Sequence, residues 1–200
     1  MLDPIAPSRL PGRIHTGRES NAIAALTLAF ASDPANRWCW PATAEFLVAF
    51  PAFVRALGGR AFAAESAFEI AGGAGAALWL PPGVDPDEAE LIAVINRTVH
   101  PSKQNDLYAV MEQMGRHHPT FPHWYLPFVG VEPMQQNRGF GAALLQPMLQ
   151  RCDHERLPAY LESTNPRNIP FYECLGFKPV GAIQAGTSPT IVPMLREPRG

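Results

Sequence analysis

Gln136, Gly139 and Gly141 stand directly in front of an apolar, helix-like run, in the stretch VEPMQQNRGFGAALLQPML at 131–149. A glycine inside a helix costs about 1 kcal/mol against alanine, so two at a helix start imply that something approaches the backbone closely. The first amides of a helix lack internal partners and the dipole there is positive, which suits an anion. A dinucleotide fingerprint would need a third glycine where Leu144 stands, and it would follow the first strand rather than lie late in the chain. A Walker loop, with its terminal Gly-Lys-Ser/Thr, is absent. The reading that fits is a turn whose amides, from about Asn137 through Arg138, Gly139, Phe140 and Gly141 to Ala142, wrap a pyrophosphate, with Gln136 opening it. His117, His118 and His123 are the other conspicuous group. Their spacing offers no helical i, i+4 pair and Pro119 and Pro122 interrupt it, so they read as a loop cluster without a metal.

The elements that must position these residues follow from periodicity. A strand is expected near GRIHT, then a helix over 19–34 in which Ile23, Leu26 and Phe30 share a face and Asp33-Pro34 ends it. NRWCWP reads as an aromatic knot in a loop. A second helical stretch covers 42–59, kinked or split by Pro51. Residues 66–83 read as an antiparallel hairpin with a glycine turn. Two helical stretches fill 84–118, the second with Ser102 as cap. A strand over 123–133 carries Pro127, which suggests a bulge. After the glycine turn come a helix to about Cys152, a strand over 158–164, a short helix ending at Gly176, and two closing strands. The order predicts one mixed α/β domain over 13–200, preceded by a loose proline-rich segment at 1–12.

The totals limit the function. With 200 residues and 46% apolar content the chain can bury a sizeable core. A net charge of −2 without basic clusters argues against a nucleic-acid partner. No apolar run approaches the roughly 18 residues of a membrane span. Three scattered cysteines, Cys39, Cys152 and Cys174, make a poor disulfide framework, and the opening residues do not resemble a signal peptide. A cytoplasmic location is expected.

The Gln-x-x-Gly-x-Gly turn after a strand ending Val-x-Pro resembles the acetyl-CoA signature of the GNAT superfamily of N-acetyltransferases. LESTNPRNIPFYECLGF, one helix downstream, resembles the second signature of that family: a strand, an asparagine, then a short helix with an aromatic-Tyr pair and Gly-Phe. AFASDPANRW, GAALWLPP, PHWYLPFVGVEP and the closing MLREPRG are similar to the puromycin N-acetyltransferase branch, and the central helices at 84–118 match it least. The resemblance implies a six- to seven-stranded, mostly antiparallel sheet whose two central parallel strands splay apart around acetyl-CoA, the co-substrate. The implied reaction is acetyl transfer to a primary amine of a small molecule by direct attack in a ternary complex. The alternative is a non-catalytic acyl-CoA-binding module on the same fold.

The resemblance also implies roles. Val129, Gly130 and Val131 would pair with the pantetheine arm as if it were an extra strand, and an amide there would stabilise the oxyanion. Asn168 and Phe171 would border the same arm. Tyr172 takes the position of the general acid, a phenol that protonates or hydrogen-bonds the leaving thiolate. Glu162 is the best carboxylate for a base, ahead of Glu132 and His123, with a water chain as the alternative. Trp38, Trp40 and Trp124, with Phe46 and Phe50, either wall the acceptor or belong to the core. Aromatic walls with few charges favour a small, mostly apolar amine. No metal, membrane or nucleic-acid partner is expected, and the chain would act as a monomer or homodimer.

Overall fold

The computed structural model describes residues 10–15 and 17–200. The proposed loose segment therefore lies largely outside the described residues, and Gly12 already belongs to a strand. The sheet contains β1 (Gly12–Arg13), β2 (Ala67–Ile70), β3 (Gly75–Leu80), β4 (Trp124–Val131), β5 (Ala159–Ser163), β6 (Lys178–Pro179) and β7 (Val192–Arg196), in the order β1-β2-β3-β4-β5-β7-β6. Every neighbouring pair is antiparallel except β4 with β5. The expected six- to seven-stranded, mostly antiparallel sheet thus has seven strands.

Helices cover both faces. On one face α1 (Glu19–Ala29), α3 (Thr43–Gly58) and α5 (Glu88–Thr98) bury Leu26, Phe50 and Ile95 against Leu78, Leu80 and Phe128. On the other, α7 (Phe140–Glu155) buries Leu144, Leu145, Met148 and Cys152 against Ala77, Trp79 and Leu126. That is the one-sided stripe expected of a helix whose apolar residues recur every three to four positions. α6 (Pro101–His117) packs Val110 on Ile183 and Ile191, and α8 (Ile169–Cys174) follows β5.

The site is opened by a fault in the central pair. β4 and β5 are paired only at Trp124↔Ala159 and Tyr125↔Tyr160. At the next residues β4 bulges: Leu80 faces Tyr125 and Leu78 faces Phe128, so three steps on β4 answer two on β3. Pro127, which has no N–H to give to a ladder, lies inside this bulge. A bulge bends its strand, and beyond it β4 leaves β5. The local sequence thus explains why the parallel strands part.

Four local expectations are corrected. The helix over 19–34 stops at Ala29, and Asp33-Pro34 begins α2 (Pro34–Cys39) instead of ending α1. Asp33 Oδ1 accepts from Asn36 N at 3.1 Å and proline is favoured at the first helical position. Much of the NRWCWP loop is therefore helical. Pro51 does not split α3, which runs sixteen residues through it. His100, not Ser102, caps α6, accepting from Ser102 N.

Candidate active site

Where β4 leaves β5 a cavity of about 380 Å³ opens. Phe30, Trp40, Phe53 and Phe128 wall it with aliphatic residues of α5 and α6, among them Leu91, Ile95, Met111 and Met114. Polar groups reach it at a few points: Glu162, His118, Tyr125, Thr164, Asn168 and Tyr172, with exposed Asp85 and Glu88 at its rim. Among the described residues no lysine or arginine lines it.

One end of the cavity borders the free edge of β4. Glu132 N donates to Ala74 O at 2.9 Å, so the alternation of an antiparallel ladder turns the N–H and C=O of Val129 and Val131 away from β3, toward the cleft. The carbonyl of Val131 is met there by Gln136 Nε2 at 3.0 Å. That bond pins the start of the turn. Asn137 and Gly139 then take positive φ, 61° and 82°. Ala143 is the first residue to bond back into α7, donating to Gly139 O at 3.1 Å. The amides of Phe140, Gly141 and Ala142 thus precede the first intrahelical donor and face outward at the positive end of the helix. Arg138 lies over the Phe140 ring and donates to Gln135 Oε1.

The glycines differ in what they do. A Cβ on Gly139 would enter open space, so only its φ demands glycine. A Cβ on Gly141 would touch the Phe171 ring at 3.4 Å, which is how α8 reaches the first turn of α7. Gly130, expected beside the pantetheine arm, has another reason to be glycine. Its Cβ would lie 2.6 Å from Ala29 Cβ, and its own N–H and C=O face β3. It makes room for α1.

Tyr172 is buried between Phe171 and Phe177, with ring centroids at 5.2 and 6.0 Å, and lines the cavity. Burial, and then the Asp33 carboxylate, raise its pKa above that of an ordinary phenol. Its hydroxyl stays protonated and is a donor. Asp33 is itself raised, chiefly by burial. Its Oδ2 accepts from Thr164 Oγ1 at 2.6 Å, which ties α2 to the end of β5.

Glu162 has a side chain only 4% exposed and lies two residues after Tyr160, on the same face of β5. Tyr125 and Tyr160 face each other across the last rung of the parallel pair, with rings 6.0 Å apart. Burial and then the adjacent Glu162 carboxylate raise both phenols. Tyr160 Oη is buried without a hydrogen bond of ordinary geometry. His118 caps this rung, 4.9 Å from each tyrosine ring. Its Nδ1 faces Glu162 Oε1 at 3.9 Å and its Nε2 lies 3.0 Å from His123 Nε2.

The fold thus brings Glu162, Tyr172, Asn168, Val129 and Trp40 to one cavity, and Phe171 to the adjoining turn. Two residues expected at the acceptor lie elsewhere. Trp124 faces α7, donates to Glu155 Oε2 at 2.8 Å and carries the Arg151 guanidinium, because β4 alternates its side chains between the two faces. Trp38 points outside the cavity, bonded to Thr187 and covered by Lys103. Phe46 and Phe50 are core. Sequence reasoning missed Tyr125 and Tyr160, whose opposition depends on the register of two strands distant in sequence. Leu107, Met111, Met114 and His118 were legible only as steps of three and four along a helix.

Cys39 lines the cavity, but burial pushes its thiol up to about 12. It is a thiol at neutral pH and a poor nucleophile. Among the described residues no group of three or more His, Cys, Asp or Glu is placed to hold a metal ion, and no helix is long and apolar enough to cross a membrane.

Comparison with known proteins agrees with this geometry. Residues 28–177 match the model of the acetyltransferase (GNAT) family. An uncharacterized N-acetyltransferase of Schizosaccharomyces pombe is 41% identical over 78 residues, which is 38% of this chain and only 32% of that protein's length. Among solved structures, one from Corynebacterium glutamicum, described as histone acetyltransferase HPA2 and related acetyltransferase, superposes with a TM-score of 0.66 at 24% identity, over 98% of both chains. The arylalkylamine N-acetyltransferase 2 of Aedes aegypti superposes with a TM-score of 0.65 at 11% identity, over 94% of this chain and 98% of its own. An agmatine N-acetyltransferase gives 0.64 at 13%, over 94% and 98%. At these identities the structures speak for the fold.

Proposed function

The chain belongs to the GNAT family of acetyltransferases, and on that premise we propose that it transfers the acetyl group of acetyl-CoA to the primary amine of a small molecule with an apolar or aromatic body. One observation carries the reading: a carboxylate, Glu162, and a phenol that stays protonated, Tyr172, line the same apolar cavity at the point where β4 and β5 part.

The chemistry follows from the positions. Pyrophosphate would sit on the amides of Phe140 to Ala142, and the pantetheine arm would run along the free edge of β4, bonded to Val129 and Val131 and bordered by Asn168. The acetyl carbonyl then lies beside an amide of that edge, which stabilises the oxyanion as the amine nitrogen attacks. One such donor is worth about 3–4 kcal/mol in other enzymes. The N–C bond forms and the C–S bond breaks. Tyr172 donates to the departing sulfur, and the proton lost by the amine passes toward Glu162. Attack is direct, because among the described residues the cysteine lining the cavity, Cys39, is held as a thiol.

The lining selects the acceptor. An ammonium passes the Asp85 and Glu88 rim, while the interior offers aromatic and aliphatic walls. A flat amine of the puromycin type belongs to this class. A long polycation would need several carboxylates deep in the cavity, where among the described residues Glu162 is the one that is buried. The chain would work in the cytoplasm as a monomer or homodimer. The test is a screen of primary amines for acetyl-CoA-dependent thiol release. Turnover of aromatic amines supports the proposal; acetyl-CoA binding without turnover of any amine would favour a non-catalytic acyl-CoA-binding module.

A further inference from the structure

Hydrogen-bond directions around His118 fix where its protons are. His123 Nδ1 lies 2.8 Å from Phe121 O. A carbonyl only accepts, so this nitrogen carries a hydrogen. Burial lowers the pKa of His123, outweighing the carbonyl and Glu162, which act the other way. Its second nitrogen, Nε2, is then a lone pair in the neutral ring. The 3.0 Å contact between the two Nε2 atoms requires His118 Nε2 to be the donor. Only His118 Nδ1 remains, and it faces Glu162 Oε1 at 3.9 Å. In the neutral ring that nitrogen is a lone pair facing a carboxylate, a pairing that becomes favourable when one proton, or a water donating to both, lies between them.

We propose that Glu162, His118 and His123 form a relay that carries the acceptor's proton from the cavity to solvent, with one labile proton shared between Glu162 and His118. The relay rests on the amine-transfer reading. The proton leaves the ammonium for the Glu162 carboxylate, directly or through a water, and crosses to His118 Nδ1. His118 gives up its Nε2 proton to His123 Nε2, and His123 releases its Nδ1 proton to solvent. Each ring then regains its first tautomer by exchange with water, one nitrogen losing a proton as the other takes one up, so that one proton leaves the cavity per turnover. Exposure falls inward along this path: Glu162 is 4% exposed, His118 is 32% exposed and Phe121 lies at the surface. The other titratable groups facing the relay are Tyr125 and Tyr160, on β4 and β5, and Asp85, whose charge acts on His123. Both phenols are raised and stay neutral. Glu162 is the catalytic residue of the three; His118 and His123 act through it.

Two measurements test this. Imidazole ¹⁵N NMR of the full chain is expected to find neutral His123 as the Nδ1–H tautomer and neutral His118 as Nε2–H. Glu162→Gln, which replaces the carboxylate facing His118 Nδ1 at 3.9 Å, is expected to move the ¹⁵N signal of that nitrogen and to leave the His123 Nδ1–H, held on Phe121 O, in place. For kinetics, His123→Gln keeps a donor and an acceptor but carries no proton. With an amine turned over by the wild type, it is expected to reduce kcat at pH 7 about tenfold or more, to leave acetyl-CoA binding and the thermal midpoint unchanged, and to recover activity in added imidazole. The Nε2–H tautomer at His123, a His118 Nδ1 signal unmoved by Glu162→Gln, or an unchanged pH–rate profile in His123→Gln would each overturn the relay. A wild-type chain that acetylates no amine would overturn the transfer reading and the relay's use with it, while the NMR would still decide whether the proton is shared.

Discussion

Gly139→Asn and Gly141→Ala should separate the two glycines of the turn. At Gly139 the backbone has φ of 82° and a Cβ would meet nothing within 4 Å. Asparagine tolerates the left-handed region better than other residues, so Gly139→Asn should lose about 1 kcal/mol of stability or less, and its side chain would occupy the space above the α7 amides. At Gly141 the backbone is helical and a Cβ meets the Phe171 ring at 3.4 Å, an ordinary contact. Gly141→Ala should therefore be neutral or gain up to about 1 kcal/mol from helix propensity. In a chain of this size 1 kcal/mol moves the thermal midpoint by roughly 2–4 °C. Acetyl-CoA at a hundred times its Kd should stabilise the wild type by about 2.7 kcal/mol. The assay is thermal unfolding of all three proteins, with and without acetyl-CoA. The expected pattern is a ligand-induced rise kept in Gly141→Ala and lost in Gly139→Asn, with both apo proteins folded. A full rise in Gly139→Asn would refute the placement of the pyrophosphate on this turn.

Tyr172→Phe keeps the ring and removes the donor. Turnover should fall about 10²–10⁴-fold with acetyl-CoA binding unchanged, and because the Tyr172 pKa is raised, the wild-type rate should show no loss assignable to its ionisation as pH rises through the ordinary phenol range. Gly130→Ala should destabilise the protein by about 1–3 kcal/mol through overpacking against Ala29, visible as a lower urea midpoint, whereas a backbone kept free only for a ligand would tolerate the methyl.

The parts of this molecule that were legible in the sequence are those whose cause is local. The glycine turn, the apolar stripe of α7, the hairpin of β2 and β3, and the bulge announced by Pro127 all express constraints within a few residues. Asp33-Pro34 was local too but ambiguous, since the same pair can follow one helix or open the next, and only the Asn36 N bond to Asp33 decides. Trp124 could not be assigned to a face from its type: it is aromatic on both readings, and the bulge changes which residues of β4 share a face. Gly130 resembled a ligand contact because a glycine required by α1 and one required by a cofactor look alike in sequence. The relay was hidden for a different reason. It depends on β4 and β5 meeting at Tyr125 and Tyr160, and on a loop carrying His118 over that rung, neither of which is written in the spacing of the histidines.

Whether the chain transfers acetyl to an amine, and to which, is decided by mass spectrometry of the products formed from acetyl-CoA and a panel of aromatic primary amines, polyamines and aminoglycosides. An N-acetylated aromatic amine should form mole for mole with free coenzyme A, at a higher kcat/KM than any polycation. Preferential acetylation of a polycation would contradict the acceptor drawn from the cavity, and bound acetyl-CoA with no acetylated amine would contradict the transfer itself.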